Sequence, residues 1–230
     1  MTVNPAEAAA MFEAIRSGND AAVDTAVADN EELLRTHNDT GMSAVVAAAS
    51  AGHIRLAERL AARLIKSADG IGFFDAAAVG NVSAVRNMLS EDLAAVDDRG
   101  PDGCTALHLA ARFGQMEVAR LLLGRGADPN AISLNDERVT PLYSAVLARH
   151  RDTATLLLAL GASPNSVQRG GWTALHAAAR NGDQAIVDML QLRGADPTRA
   201  SDDGHTAIDL AEENGHGTLA KVLRMAATKR

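Results

Sequence analysis

A four-residue phrase that begins with threonine recurs at nearly constant spacing in the second half of the chain. Its copies start at Thr105, Thr140, Thr173 and Thr206, at steps of 35, 33 and 33 residues. A second phrase, Gly-Ala-x-Pro, precedes each of the last three copies and starts at Gly126, Gly161 and Gly194. Two phrases that recur together at one period indicate a repeat protein, whose units bury their apolar faces only by stacking on their neighbours.

The first half of the chain carries the period in a more degenerate form. A glycine follows the repeat threonine by nine residues at Gly114, Gly182 and Gly215, and the corresponding earlier glycines are Gly18, Gly52 and Gly80. From the first of these, the steps are 34, 28 and 34 residues. The pattern therefore predicts about seven units, the first of them degenerate, over nearly the whole chain.

Two segments carry a resemblance to a known family. Thr-Ala-Leu-His-Leu-Ala-Ala at 105–111 and Thr-Ala-Leu-His-Ala-Ala-Ala at 173–179 resemble the ankyrin repeat, whose signature is Thr-Pro-Leu-His-x-Ala and whose period is 33 residues. The stretch at 74–85, together with an excess of arginine over lysine, is similar to bacterial members of the family.

The resemblance implies an all-α fold, an ankyrin-repeat solenoid of about seven helix–loop–helix units with β-hairpin fingers. We expect a single domain over 1–230, with degenerate units over 5–94 and regular units over 95–226. First helices that are shorter than second helices should bend such a stack and leave a concave face, lined by the first helices and the fingers.

Charge and composition argue against several classes of function. The net charge is −7 in 230 residues, and the acidic excess lies within 1–100. Neither half has the basic surplus that nucleic acid binding requires. No apolar run approaches the roughly 18 residues of a membrane helix, and 1–14 lacks the basic start of a secretory signal. With one cysteine and so no intrachain disulfide, we expect a cytoplasmic monomer that binds no cofactor.

The unit that starts at Thr105 illustrates the predicted local structure. Its first helix should run over about Ala106–Phe113 and its second over about Met116–Leu123. Gly114 should end the first helix, because glycine adopts the left-handed conformation at little cost. Small alanines such as Ala110 should let neighbouring first helices approach closely.

Three departures from the regular pattern predict local irregularities. Arg149 stands where the helix-ending glycine belongs, and a left-handed arginine costs about 1–2 kcal/mol, so this turn is expected to be rebuilt. The finger Ala131–Val139 carries two extra residues and should protrude. The finger near Ser67–Gly72 should be truncated or missing.

The side chains that could carry chemistry have simpler structural interpretations. The resemblance implies that His108 and His176 hydrogen-bond to loop backbone, and that His53 and His216 occupy structural positions after the helix-ending glycine. No histidine pair has the spacing of a zinc peptidase. The adjacent carboxylates are interpreted as a solvated surface, and Tyr143 as a structural replacement for the signature histidine. We predict no catalytic, cofactor-binding or metal-binding residue.

Partner binding is predicted at the finger tips and at the last turn of the first helices, where the repeat itself demands no large side chain. Trp172, the only tryptophan, is central because Trp and Arg often dominate interfaces; the alternative is that it merely packs on a neighbouring finger. The predicted partner-binding residues are Trp172, Arg180, Asn181, Arg112, Phe113, Val139, Leu147, Cys104, Arg169, Glu137 and His205.

The favoured function is a protein-interaction module or scaffold that has no catalytic activity and binds a protein of unknown identity, with neither nucleic acid nor membrane as a partner. One alternative is a dedicated regulatory or protective subunit of a specific enzyme, which would use the same surface. A second alternative is a small-molecule binder or enzyme with a pocket between fingers.

Overall fold

The computed structural model describes residues 3–67 and 70–228, which are predominantly helical. The α-helices of these ranges are α1 Pro5–Ser17, α2 Asp20–Asp29, α3 Ala44–Ser50, α4 Ile54–Lys66, α5 Phe73–Ala78, α6 Val82–Glu91, α7 Ala106–Arg112, α8 Met116–Gly124, α9 Pro141–Leu147, α10 Arg151–Ala159, α11 Ala174–Asn181, α12 Gln184–Leu192, α13 Ala207–Glu213 and α14 Gly217–Ala227. Short 3-10 helices lie at Glu31–Arg35, Leu93–Asp97 and Arg169–Gly171. The predicted all-α fold is confirmed.

The helices follow one another in pairs, such as α7 with α8, in which two or three residues separate the partners. The first helix of the later pairs is rich in buried alanine, as at Ala110, Ala111 and Ala177–Ala179. Because alanine adds little bulk, it suits a helix that packs against neighbours on several sides. The second helices contribute larger buried side chains, among them Leu122, Leu157 and Leu190.

The chain divides into two compact units, Met1–Ala106 and Leu107–Arg230. In the first, the buried side chains include Met11, Ile15, Leu33, Leu34, Leu56, Leu60 and Leu89. In the second, they include Leu107, Leu109, Val118, Leu122, Leu142, Leu157, Leu175, Ile186, Leu190 and Leu223. Each unit therefore has apolar residues from several helices in its own core, and the expectation of one domain over 1–230 stays a prediction.

The turn between α7 and α8 shows why the helix-ending glycine is needed. Gly114 has a φ of 71°, and a Cβ added there would lie 2.5 Å from Nδ1 of His150. Gly182 repeats the arrangement, since its added Cβ would lie 2.5 Å from Cε1 of His216. The histidine of the following turn thus packs directly on the glycine, which confirms the structural position predicted for His216.

The turn at Arg149 is not rebuilt, and that prediction was wrong. Arg149 has a φ of 65°, and its N–H donates to the carbonyl of Val146 at 3.0 Å, as the Gly182 N–H does to the carbonyl of Ala179 at 3.1 Å. The next backbone bond of the turn is also kept, since the His150 N–H donates to the Ala145 carbonyl at 2.9 Å. Arg149 therefore carries the conformational cost of about 1–2 kcal/mol that glycine avoids.

The loops between helix pairs contain less regular β-structure than the hairpins that the resemblance implies. Three isolated antiparallel bridges join His37 with Ser43, Arg99 with Thr105 and Ala200 with Thr206. No longer strand is formed within 3–67 and 70–228. In each of these loops one backbone hydrogen bond lies next to the bridge on the side of the loop tip, for example from the Asn38 N–H to the Met42 carbonyl at 2.9 Å.

Two loops differ in length, as predicted. Only residues 67–72 separate α4 from α5, where Arg35 donates from Nη2 to Oγ of Ser67 at 2.8 Å; Ala68 and Asp69, at the centre of the predicted truncation, lie outside the described residues. The longest loop, between α8 and α9, is closed where the Ser133 N–H donates to the Val139 carbonyl at 2.9 Å.

Candidate functional site

A repeated hydrogen bond fixes the start of the first helix in the last two repeats. The Thr173 N–H donates to Nδ1 of His176 at 3.2 Å, and Nε2 of His176 donates to the His205 carbonyl at 3.1 Å. In the last pair, the Thr206 N–H donates to Oδ2 of Asp209 at 2.8 Å. A side chain three residues into the helix therefore satisfies the backbone N–H of the capping threonine.

His108 makes the corresponding contact with the loop that follows it, since its Nε2 lies 2.9 Å from the Val139 carbonyl oxygen. A carbonyl oxygen can only accept, so the imidazole N–H donates. The prediction that His108 and His176 hydrogen-bond to loop backbone is confirmed for both. Burial lowers the pKa of His176, and the hydrogen bond to His205 opposes that effect.

The pair α9–α10 achieves the same cap with a residue from outside the helix. The Thr140 N–H donates to Oε1 of Gln168 at 2.8 Å, and Nε2 of the buried Gln168 donates to the Ser166 carbonyl at 3.1 Å. Tyr143, which stands at the histidine position, therefore does not replace the imidazole. The interpretation of its hydroxyl as a structural substitute was wrong, because a glutamine from the next loop already fills that role.

Tyr143 is instead half-buried between two charged side chains. Burial raises the pKa of its hydroxyl, while the charge of Arg180 lowers this pKa and that of Glu137 raises it. No hydrogen bond joins the Tyr143 hydroxyl to another side chain in the part of the chain that the structure describes. The phenol is thus neutral at physiological pH and able both to donate and to accept.

Two further arginines, Arg112 and Arg169, lie at the loop tip that carries Glu137. Nη2 of Arg112 lies 4.0 Å from Oε2 of Glu137. The Arg169 N–H donates to the Glu137 carbonyl at 3.3 Å, and Nη1 of Arg169 donates to the Asp136 carbonyl at 3.3 Å. The loop tip at 136–137 therefore lies between the last turn of α7 and the following loop. We call the set Arg112, Glu137, Tyr143, Arg169 and Arg180 the arginine–tyrosine surface.

Trp172 lies half-buried on the loop before α11. Its ring centroid is 5.7 Å from that of His176 in an edge-to-face arrangement, and its Cδ1 would lie 3.1 Å from a Cβ added to Gly170. The indole thus packs on its own loop and on the capping histidine, while part of it remains accessible. Both interpretations offered from the sequence are compatible with this position.

Two predicted contact residues are removed from the surface by burial. Cys104 is 4% exposed and Val139 is 8% exposed. The residue before the repeat threonine points into the unit at these two places, so the assumption that this position always faces outward was wrong. Val139 also accepts the hydrogen bond from His108 through its carbonyl.

Two further predicted residues have structural partners. Nδ2 of Asn181 donates to the Val146 carbonyl at 2.9 Å, so its amide satisfies the end of α9. The imidazole of His205 lies 3.4 Å from Oδ2 of Asp203 and 3.3 Å from Oε1 of Glu213. Neither side chain is free of interactions, and His205 lies in the next loop along rather than in the arginine–tyrosine surface.

The remaining predicted residues are accessible. Leu147 is 47% exposed, Phe113 is half-buried, and the side chains of Arg180, Arg169 and Glu137 are exposed. Leu147 adjoins Asn181, whose Nδ2 lies 3.4 Å from its carbonyl.

Sequence reasoning missed the apolar side chains of the long loop and the position of Tyr143. Leu134 is 71% exposed and Ile132 is also exposed. The two-residue extension of the loop was the available signal, because an extended loop has no neighbour to cover its apolar side chains. Nothing in the local sequence indicated that Gln168 would cap Thr140 in place of a side chain at position 143.

The family comparison agrees with this architecture. A family model described as "Ankyrin repeats (3 copies)" matches residues 73–168 and 160–229. The loop-capping histidines, the helix pairs and this match together define a repeat protein, and the chain belongs to the ankyrin-repeat family.

Several curated proteins are similar over part of the chain. Ankyrin repeat and SOCS box protein 3 of Bos taurus is 35% identical over 156 residues, 64% of this chain and 29% of that protein. Ankyrin repeat and KH domain-containing protein mask-1 of Caenorhabditis elegans is 30% identical over 118 residues, 48% of this chain and 4% of that protein. A transient receptor potential cation channel subfamily A member 1 homolog of the same organism is 37% identical over 112 residues, 49% of this chain and 9% of that protein.

The matched region spans less than a third of the length of each of these relatives. All are animal proteins, so they give no support to the bacterial resemblance of segment 74–85. No helix among the described residues has both the length and the apolar character needed to cross a membrane.

Proposed function

We propose that this chain is a protein-interaction module without catalytic activity, and that its partner binds the loop tips and first-helix ends of residues 107–230. The observation that carries the proposal is the arginine–tyrosine surface, together with Trp172 on the loop that also carries Arg169. Arg, Tyr and Trp are the residue types that most often dominate binding energy at protein interfaces.

The positions of these side chains support a binding role. Arg180 and Arg169 are exposed and carry no carboxylate partner among the described residues. Tyr143 has been replaced as a capping group by Gln168. These side chains are therefore available to a partner, and changing them leaves the helix caps in place.

We further propose that the repeat continues through the first half of the chain, giving seven units in all. The helix pairs α1–α2 and α3–α4 precede the region matched by the family model and support this count. The same turn geometry recurs at Gly18, whose added Cβ would lie 2.7 Å from Cε1 of His53. The bridge between His37 and Ser43 is, in this proposal, the remnant of a hairpin finger.

A cytoplasmic, monomeric state is part of the proposal. The one cysteine, Cys104, is buried and not part of a disulfide, which suits a reducing compartment.

Trp172→Ala tests the proposed function. The chain would be immobilised, the retained protein from a lysate of the source cells identified, and its Kd measured by calorimetry against wild type and variant. We expect Trp172→Ala to weaken binding by about 2 kcal/mol, as truncation of a central interface aromatic does. The circular dichroism of the helices should remain nearly unchanged.

Leu192→Ala is the matched control, because Leu192 is 83% exposed at the end of α12 and lies outside the proposed surface. Its substitution should leave the Kd unchanged. Equal affinity of wild type and Trp172→Ala for a genuine partner would contradict the proposed surface. Recovery of one enzyme in equimolar amount would instead favour the alternative of a dedicated enzyme subunit.

A further inference from the structure

The charge on the proposed surface differs from that of the whole chain. The chain carries a net charge of −7. The loops and helix ends that carry this surface nevertheless present four arginines, Arg112, Arg138, Arg169 and Arg180. The carboxylates near them are Asp136 and Glu137 on the long loop and Asp202, whose N–H donates to the Gly170 carbonyl at 2.8 Å in the turn that follows Arg169. Glu137 is already shared with Arg112 at 4.0 Å.

Three of these guanidinium groups remain without a carboxylate. Within 3–67 and 70–228, no ion pair involves Arg138, Arg169 or Arg180. Arg169 donates to the Asp136 carbonyl, which holds the side chain in place without neutralising its charge. Arginine is well suited to bind carboxylates because its planar fork of donors matches two oxygens at once.

Tyr143 adds a neutral donor at the same place. The charges of Arg180 and Glu137 both act on the pKa of its hydroxyl. No described side chain forms a hydrogen bond with this hydroxyl. A carboxylate bound to Arg180 could therefore also accept a hydrogen bond from this hydroxyl.

Apolar side chains border the charged groups. Leu147 lies one helix turn beyond Tyr143 and next to Asn181, while Leu134 is exposed on the loop that carries Asp136 and Glu137. A ligand that is complementary to this surface therefore carries both negative charge and at least one apolar side chain.

From this complementarity we propose that the partner presents an extended acidic segment to the arginine–tyrosine surface. Its carboxylates would bind Arg180, with the Tyr143 hydroxyl as second donor, and Arg169. An apolar residue of the segment would contact Leu147 or Leu134. The inference rests on the proposed function and specifies the chemistry of the partner.

A random twelve-residue peptide library displayed on phage and panned against the full chain tests this specificity. The expected outcome is enrichment of peptides that contain several Asp or Glu residues and an aliphatic or aromatic residue. Binding of a synthetic enriched peptide, measured by fluorescence anisotropy, should weaken as salt is raised, because exposed charges are screened. Replacing its Asp and Glu by Asn and Gln should abolish binding.

Variants of the chain locate the site. Arg180→Ala should raise the Kd of the peptide about tenfold or more, and Arg180→Lys should have a smaller effect because lysine keeps the charge without the planar fork. Tyr143→Phe should raise the Kd less than Arg180→Ala does. Arg120→Ala is the control, since Arg120 is exposed on α8 and pairs with Glu117 at 3.7 Å.

Enrichment of neutral or basic peptides, or acidic peptides that bind Arg180→Ala as well as wild type, would overturn this inference. Failure to enrich any peptide would overturn it as well. The broader proposal would survive those outcomes if Trp172→Ala still weakened binding of a captured protein, so the two failures can be told apart.

Discussion

The repeat that begins at Thr140 and the repeat that begins at Thr173 build the same turn-and-helix framework from different side chains. In the second, His176 accepts from the threonine N–H inside its own helix. In the first, Gln168 from the following loop accepts the equivalent hydrogen bond. The next helix-ending turn is left-handed in both, at Arg149 in one and Gly182 in the other.

This difference shows that the framework requires hydrogen bonds and dihedral angles rather than particular residues. Any acceptor that reaches the threonine N–H can cap the helix, and neighbouring helices can force an arginine into the glycine conformation at a modest cost. The repeat from Thr140 therefore does not need the signature histidine at position 143. Tyr143 occupies that position and belongs to the arginine–tyrosine surface.

The largest effect is expected from a substitution that removes the glycine of the regular repeat. Gly182→Val places a branched side chain at a φ of 70° and into the ring of His216, 2.5 Å from the new Cβ. We expect the free energy of unfolding to fall by about 3 kcal/mol, from the left-handed strain and overpacking together. Urea denaturation followed by circular dichroism measures this loss.

Gly215→Val separates these two causes. Gly215 has a φ of 78° but nothing within 4 Å of its added Cβ, so this variant should lose only the strain contribution. If both variants lost the same free energy, the clash with His216 would add nothing to the cost of the left-handed strain.

The next effect tests the replacement of the capping histidine. Gln168→Ala leaves the buried N–H of Thr140 without an acceptor, which should lower the free energy of unfolding by about 2 kcal/mol. Gln184→Ala is the matched control, because Gln184 donates only to Asp188 on an exposed surface. A loss for Gln168→Ala no greater than that of the control would show that the glutamine does not act as the cap.

Arg149→Gly should make the repeat from Thr140 more like the other. Since glycine adopts a φ of 65° without strain, the free energy of unfolding should rise by about 1 kcal/mol. Arg125→Gly is the same substitution at a φ of −99° and should lower stability instead. Thermal unfolding of the two variants beside wild type gives the comparison, and destabilisation by Arg149→Gly would mean that the side chain makes a contribution that its exposure does not suggest.

The smallest effect concerns pH and only the repeat with the histidine. Because burial lowers the pKa of His176, the unfolded state binds the proton more readily than the folded state. The stability of the folded state that depends on a neutral His176 is fully present above the ordinary histidine pKa of about 6.5. It is lost as the pH falls towards the lower pKa of His176 in the folded state.

We therefore expect wild type to lose more stability than His176→Gln when the pH is lowered from about 7.5 to about 5.5. The measurement is urea denaturation of both proteins at the two pH values, which cancels titrations that they share. An equal loss in the two proteins would show that His176 is not the group responsible. Tyr143, at the equivalent place in the other repeat, does not titrate in this range.

The repeat period and the helix bounds could be read from the sequence with small errors. The first helix predicted at Ala106–Phe113 is observed at Ala106–Arg112, and the second, predicted at Met116–Leu123, at Met116–Gly124. These predictions succeed because local signals, a capping residue before the helix and a left-handed glycine after it, act within a single turn of chain.

The candidate site was predicted less completely. Arg180 and Leu147, which the repeat register placed in the last turn of the first helix, are exposed there, whereas Cys104 and Val139 are buried. The register specifies a position along the chain, but whether a side chain there faces outward depends on the loop that packs above it. Partner binding by the accessible residues stays a prediction.

The sequence by itself determined the helical repeat, its family and the places where its pattern breaks, because these follow from spacing and from local conformational preference. Only the tertiary structure decided which contacts replace the regular ones at each break in the pattern. Gln168 reaches Thr140 across 28 residues, and the turn at Arg149 keeps its left-handed geometry, with His150 packed on Gly114 of the preceding repeat. Such contacts are non-local, and no periodicity in the chain encodes which side chain will satisfy a buried donor from another loop.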